Sequence, residues 1–292
     1  MPAQEGDTLH RFLIENSNVR GEWVHLDASW RALLERGDYP EPVRSVLGEA
    51  LAAVTLLSAT IKFEGSLIFQ VTGDGPLHML VVEATGQRTV RGLAHWNDEV
   101  PHGDLGAKFG DGRIVMTIDP GPGRDRYQAI TEVTGDSLAD AIQSYFERSE
   151  QLPTRLWLAT DRSKSAGLLL QSLPQETPDQ DAWNRTLMLT ETLSEQELLE
   201  LPAEEVLYRL YHEEGVRMLS GEPVSFRCGC SQERVDRVIR GLGYQEAQDI
   251  LQEQGAIDVD CEFCGAHYHL DAVDVEQLFA GTEQPPGSRR LQ

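Results

Sequence analysis

Phe226-Arg-Cys-Gly-Cys-Ser-Gln-Glu-Arg234 and Cys261-Glu-Phe-Cys-Gly-Ala-His-Tyr268 hold all four cysteines of a 292-residue chain. The thiols form two close pairs, Cys228 with Cys230 and Cys261 with Cys264, separated by thirty residues. Two such pairs around a helical insert are a common way to assemble a tetrahedral thiolate site, the arrangement zinc takes in structural centres. Gly229 is expected to let the tight first pair bend both sulfurs to one side, and Gly265 to serve the turn after the second. His267 and His269 follow closely, so three cysteines and a histidine are an alternative ligand set. The plainer reading of Ala266-His-Tyr-His-Leu270 is a strand with both imidazoles on one face.

Local disulfides within the pairs would close almost no chain and constrain the unfolded state little. A shared zinc instead ties the pairs together across the insert and supplies folding free energy to a module with a small core. Oxidation within the pairs would therefore remove a long-range crosslink without a substitute. Spacing alone leaves two uses open, a structural zinc knuckle and a thiol switch.

Working outward, residues 223–285 read as a small C-terminal zinc-binding domain, with helical patterns at Gln232–Gly241 and Gln245–Gln254 between the thiol pairs. The tail 286–292 reads as disordered. Residues 176–222 hold twelve acids against three arginines, yet Leu198, Leu201, Leu207 and Leu210 keep helical spacing. This is the pattern of two or three amphipathic helices, one starting at Pro202, with like charges that leave them weakly held unless they rest on a neighbour. It is expected to be an acidic, metastable helical linker.

Residues 1–175 read as an N-terminal α+β domain of mixed sheet and helix. Pro42 opens a helix whose Val43, Val46, Leu47, Ala50, Leu51 and Val54 recur at helical spacing and whose second half is apolar almost all round. Strands are expected at Leu67–Val71, Leu77–Glu83, Thr89–His95, Ile114–Ile118 and Tyr127–Val133, several of them separated by Gly- and Pro-rich turns. Asp136 is expected to cap a helix from Ser137 to about Ser149, followed by strands at Thr154–Ala159 and Leu168–Leu173.

The formal charge of −23 disfavours nucleic acid. Over residues 223–292, six arginines stand against twelve acids, which argues against a nucleic-acid zinc ribbon. The N-terminus shows neither a basic nor an apolar signal region, and the apolar run Ala50–Ile61 falls short of the roughly 20 residues of a membrane span. The cytoplasm is the expected compartment, and no membrane partner is expected. There is no Gly-x-Ser-x-Gly elbow, His212-Glu-Glu-Gly-Val216 lacks the second histidine of a zinc protease, and Gly121-Pro-Gly123 lacks the Lys-Ser/Thr of a phosphate loop, so no enzyme is expected.

Together the two cysteine segments resemble the redox-switch domain of the heat shock protein thirty-three family of bacterial holdase chaperones. The resemblance continues in Leu207-Tyr-Arg-Leu-Tyr-His-Glu-Glu214, Tyr145-Phe-Glu-Arg-Ser-Glu-Gln-Leu-Pro-Thr-Arg155, Gly73-Asp-Gly-Pro76 and Leu9-His-Arg-Phe12, covering essentially the whole chain in order. It implies one zinc per reduced chain, held by Cys228, Cys230, Cys261 and Cys264 in an inactive form. It implies that oxidants convert these ligands to Cys228–Cys230 and Cys261–Cys264 disulfides, with zinc release and unfolding of the switch domain and linker. The oxidised protein would then dimerise and hold unfolding client proteins against aggregation without ATP.

Overall fold

The computed structural model describes residues 6–15, 18–61, 65–97, 99–121, 123–174 and 180–280. The tail 286–292 and the expected start of the linker at 176 lie outside them. The chain divides into two compact units, Met1–Arg227 and Cys228–Gln292.

In chain order the first unit runs β1 (Thr8–Ile14), β2 (Val19–Leu26), α1 (Ala28–Leu34), α2 (Glu41–Thr60), β3 (Ser66–Thr72), β4 (Leu77–Thr85), β5 (Thr89–Trp96), α3 (Leu105–Phe109), β6 (Arg113–Asp119) and β7 (Tyr127–Glu132). It continues with α4 (Leu138–Tyr145), β8 (Thr154–Thr160), β9 (Ser165–Ser172), α5 (Gln180–Thr190), α6 (Glu195–Glu200) and α7 (Ala203–Tyr211). Three short strands, β10 (Val216–Met218), β11 (Glu222–Pro223) and β12 (Ser225–Phe226), close it. One sheet has the order β10-β1-β2-β9-β8 with β11 also paired to β1, and the other has β12-β5-β4-β3-β6-β7.

The helix begun by Pro42 lies between the two sheets and packs on β2, β8 and β9 of one and on β3, β4 and β5 of the other. Residues such as Val43, Leu47, Ala50, Leu51, Ala53, Val54 and Leu56 are sealed all round the helix, which accounts for its apolar second half. By length and apolarity α2 also passes for a membrane span, but it is a core element. Strands β3 to β7 fall where the sequence places them, because each alternates side chains between the α2 face and solvent or is bounded by a turn.

Several expectations shift. Ser137, not Asp136, caps α4: its hydroxyl accepts from the Asp140 amide while Asp140 reaches back to the Ser137 amide, a reciprocal arrangement that Asp136 is one residue too early to make. The α-helix stops at Tyr145 and continues as one π-helical turn, Phe146–Glu150. β9 starts at Ser165, whose hydroxyl donates to the buried Gly48 carbonyl of α2. The strands β1 and β2 and the helices α1 and α3 have no counterpart in the sequence reading. In β2 the apolar alternation is broken by Gly21 and the buried Glu22. Gly21 stands opposite Phe12, and a Cβ there would meet the Phe12 ring at 2.1 Å, so only glycine admits the aromatic cover.

The acidic stretch is not set apart. Within the first unit α6 packs on β8 and β9, α7 on α5 and β10, and β10 and β11 extend the first sheet. Leu198, Leu207 and Leu210 are buried with Trp183, Val206 and Tyr211 against Phe12, Ile14, Val19, Trp23, Leu168 and Leu170, and Leu201 packs at the edge of this cluster. Arg185 pairs with Glu214 at 2.6 Å, and the buried Thr190 and Tyr211 hydroxyls meet at 2.5 Å. The unit boundary falls at 228 where the sequence suggested 223, because Ser225 and Phe226 pair in parallel with Thr89 and Val90.

The role of α2 has a measurable consequence. Leu51→Ala removes a fully buried side chain between two sheets that cannot collapse onto the gap. It should cost about 2–5 kcal/mol, read as a lower urea midpoint by circular dichroism, and an unchanged midpoint would contradict the sandwich.

Candidate metal centre

The second unit contains α8 (Gln232–Leu242), α9 (Tyr244–Gln254), β13 (Ile257–Asp260), β14 (His267–Leu270) and α10 (Ala272–Phe279). Its core among the described residues is Val235, Ile239, Ala247, Leu251, Ile257, Leu270, Val275 and Leu278, all aliphatic. A core of that size supplies little of the burial a free-standing domain needs.

The thiols sit where two connections meet. Cys228 and Cys230 lie just before α8, whose N-cap is Ser231, its hydroxyl accepting from the Arg234 amide. Cys261 and Cys264 lie in the turn between the antiparallel β13 and β14. There the Cys264 and Gly265 amides donate to the Cys261 carbonyl at 3.2 and 2.7 Å, and the Cys261 amide donates to the Ala266 carbonyl at 2.9 Å. Gly265 has φ of +70°, so the expectation for it holds: the turn uses the left-handed region. The sulfurs flanking Gly229 do turn to one side, but nothing there demands glycine, since its φ is outside that region and a Cβ would meet only the flexible end of Arg234.

All four Sγ atoms lie within 4.8 Å of one another, with Cys228 to Cys261 at 3.6 Å and Cys230 to Cys264 at 3.3 Å. None is in a disulfide. Four sulfurs around one zinc at the usual 2.3 Å stand about 3.8 Å apart, so the donor set has the dimensions to hold that ion. Each cysteine is half-buried, which keeps the sulfurs within reach of small solutes. The electrostatics point the same way. A hydrogen bond from Tyr268 lowers the Cys230 thiol to about 7, while burial raises Cys261 and pushes Cys264 up to about 12. As bare thiols the cluster admits one thiolate readily and resists the next, because like charges at these distances repel in a partly desolvated site. A cation among the sulfurs reverses that order.

His267 and His269 are brought close to the thiols in sequence but onto a different face. They project from β14 toward Asp258 and Asp260 of β13, with His267 Nδ1 at 2.8 Å from Asp260 and His269 Nδ1 at 2.7 Å from Asp258. The three-cysteine-plus-histidine alternative therefore has no support in this arrangement. Tyr268, between the histidines, faces the opposite side and reaches Cys230. The sequence reading missed it as part of the site, although the alternation of a strand places it on the face away from both histidines.

Comparison with known proteins places the whole architecture in one class, a molecular chaperone. The family model described as Hsp33 protein matches residues 7–271. A 33 kDa chaperonin of Nitrosococcus oceani is 54% identical over 95% of this chain and 95% of its own length. Another, from Methylobacillus flagellatus, is 46% identical over 98% of both chains. The crystal structure of the 33 kDa chaperonin (Hsp33 homolog) of Thermotoga maritima has the same fold, with a TM-score of 0.81 at 20% identity over 94% of this chain and 98% of that one. The chain belongs to the Hsp33 family.

Because Cys261 and Cys264 hold their protons above neutrality, metal uptake by reduced, metal-free protein must expel protons. Zinc affinity should rise steeply as pH goes from about 6 to 8, measured by competition with a chromophoric chelator. A flat profile would mean that the thiols are not the ligands.

Proposed function

We propose that this protein is a redox-regulated, ATP-independent holdase chaperone of the cytoplasm, a binding protein and not an enzyme, with its thiol cluster as the switch. The single observation that carries the reading is the four-sulfur cluster, half-buried and dimensioned for one zinc, in a unit whose aliphatic core is small. Cys228, Cys230, Cys261 and Cys264 are the ligands in this reading. A bound zinc would supply one crosslink between the two thiol pairs and, with it, much of the folding free energy of the unit.

Oxidation takes two electrons from each pair of zinc-bound thiolates, and the two protons that the oxidant needs come from solvent. With a peroxide as oxidant, each disulfide formed accompanies reduction of one peroxide to two waters. The proposed bridges are Cys228–Cys230 and Cys261–Cys264. In the folded cluster the cross-pair sulfurs are already close, at 3.3 and 3.6 Å, so geometry there does not select the local bridges. Selection comes once the ligands begin to detach, when partners two or three residues away have the highest effective concentration. Two local bridges leave no tie across the thirty-residue insert, and residues 223–285 lose their main support.

The linker, 176–222 in this reading, then lifts from the first sheet. What it uncovers follows from the packing: Phe12, Ile14, Val19, Trp23, Leu168 and Leu170 on the sheet, and Leu198, Leu207 and Leu210 on the helices. Such a contiguous apolar surface suits unfolding client proteins, and a second copy of the chain, better than it suits solvent. Reduction would restore the thiolates and with them the inactive, covered form.

The test measures suppression of client aggregation by reduced and by oxidised protein, with disulfide mapping and hydrogen exchange on the same samples. The expected outcome is activity after oxidation only, local bridges, and lost protection across 180–280 while β3 to β7 stay protected. A bridge from Cys228 or Cys230 to Cys261 or Cys264, or activity in a form that keeps its protection, refutes the switch and leaves a structural zinc ribbon.

A further inference from the structure

We infer that the outer face of the β13–β14 hairpin is a second metal site, taking a divalent transition ion through His267, His269 and Asp258, with Asp260 beside them. The two strands pair antiparallel with Asp258 opposite His269 and Asp260 opposite His267. Side chains two apart on a strand share a face, so this register gathers two imidazoles and two carboxylates on one side of the hairpin. The opposite side carries Ile257, Val259, Tyr268 and Leu270, which pack into the core of the unit.

The ligand atoms converge. One atom each from Asp258, His267 and His269 lie within 4.8 Å of one another. The same Asp258 oxygen lies 2.7 Å from His269 Nδ1 and 3.3 Å from His267 Nε2, while His267 Nδ1 is 2.8 Å from Asp260. A carboxylate oxygen shared by two imidazoles is the arrangement in which one cation can replace two hydrogen-bonding protons. With Asp260 holding the far nitrogen of His267, the near one is fixed toward Asp258, as an outer carboxylate orients a metal-bound imidazole. All these side chains are exposed, so an ion enters without opening the fold. Two imidazoles with carboxylate oxygen suit zinc, cobalt, nickel or copper rather than magnesium or calcium.

The site is distinct in chemistry from the thiol cluster, and oxidants that convert thiols to disulfides leave imidazole and carboxylate unchanged. An ion there would join β13 to β14 whether or not Cys261 and Cys264 are reduced. That tie is local to the hairpin and does not replace a link from either strand to Cys228 or Cys230.

Cobalt titration of reduced, metal-free protein tests this, because thiolate-bound cobalt gives an intense charge-transfer band that nitrogen and oxygen ligands do not. The expected result is two equivalents per chain: one with the thiolate band, and one with weak ligand-field bands only. The second should be lost in the His267→Gln/His269→Gln double variant, which keeps the first and so reports that the unit still folds. The proposal is overturned if no second equivalent binds at micromolar cobalt, if it persists in the double variant, or if it carries the thiolate band. Failure of the thiolate switch reading would show differently, as absence of the thiolate band from the first equivalent.

Discussion

The first sheet is apolar on both faces, and most of what this molecule is built to do depends on that constraint. Strand β9 is buried along Ser165–Gln171 without alternation. A sheet with two apolar faces needs two covers. One is α2, which also covers the other sheet and is itself sealed all round. The second is the set α5, α6 and α7, carrying Leu198, Val206, Leu207, Leu210 and Tyr211. The covers are not equivalent. α2 is held from both sides, whereas the acidic helices rest on the sheet through one face and present like charges to water on the other. Burial of each leucine is worth about 2 kcal/mol, and this packing holds in place helices whose charge pattern gives them little stability of their own.

The second unit is held by a different currency of interactions. Its core is a handful of aliphatic side chains, and its helices are short and edged with charge. The connections before α8 and between β13 and β14 meet at the sulfurs. Packing tolerates small losses, since each contact is one of many. A four-ligand centre does not, since loss of two ligands removes the whole tie. The first unit thus has a large packed core, whereas the second has a small one beside a cluster of four thiols.

What could be read from the sequence follows from how locally each feature is encoded. The helix opened by Pro42 and the strands β3 to β7 announce themselves, because their apolar periods and turn residues lie within short windows. The cysteines are legible for the same reason, their spacing being a local pattern even though the pairs meet across thirty residues. β1 and β2 are not legible: Gly21 is there for the ring of Phe12 on the neighbouring strand, and Glu22 is buried among arginines. The partner of the apolar stripe in α6 and α7 is equally invisible, since nothing in those helices specifies a sheet more than twenty residues upstream in β8 and β9 and much further in β1 and β2. Short strands such as β11 and β12 exist only because an edge is available to pair with.

The hairpin of β13 and β14 shows how far one period-2 element can separate two chemistries. Tyr268 turns inward and holds a hydrogen bond to Cys230, while His267 and His269 on either side turn outward to Asp258 and Asp260. A one-residue slip of register would exchange the faces, bringing imidazoles toward the sulfurs and tyrosine into water. The apolar pairs Ile257 with Leu270 and Val259 with Tyr268 prevent that slip by burying the inner face. The thiols are therefore kept all-sulfur by hydrophobic packing. Weakening Ile257 or Leu270 loosens the rule that assigns each donor to its side, even though neither residue belongs to either cluster.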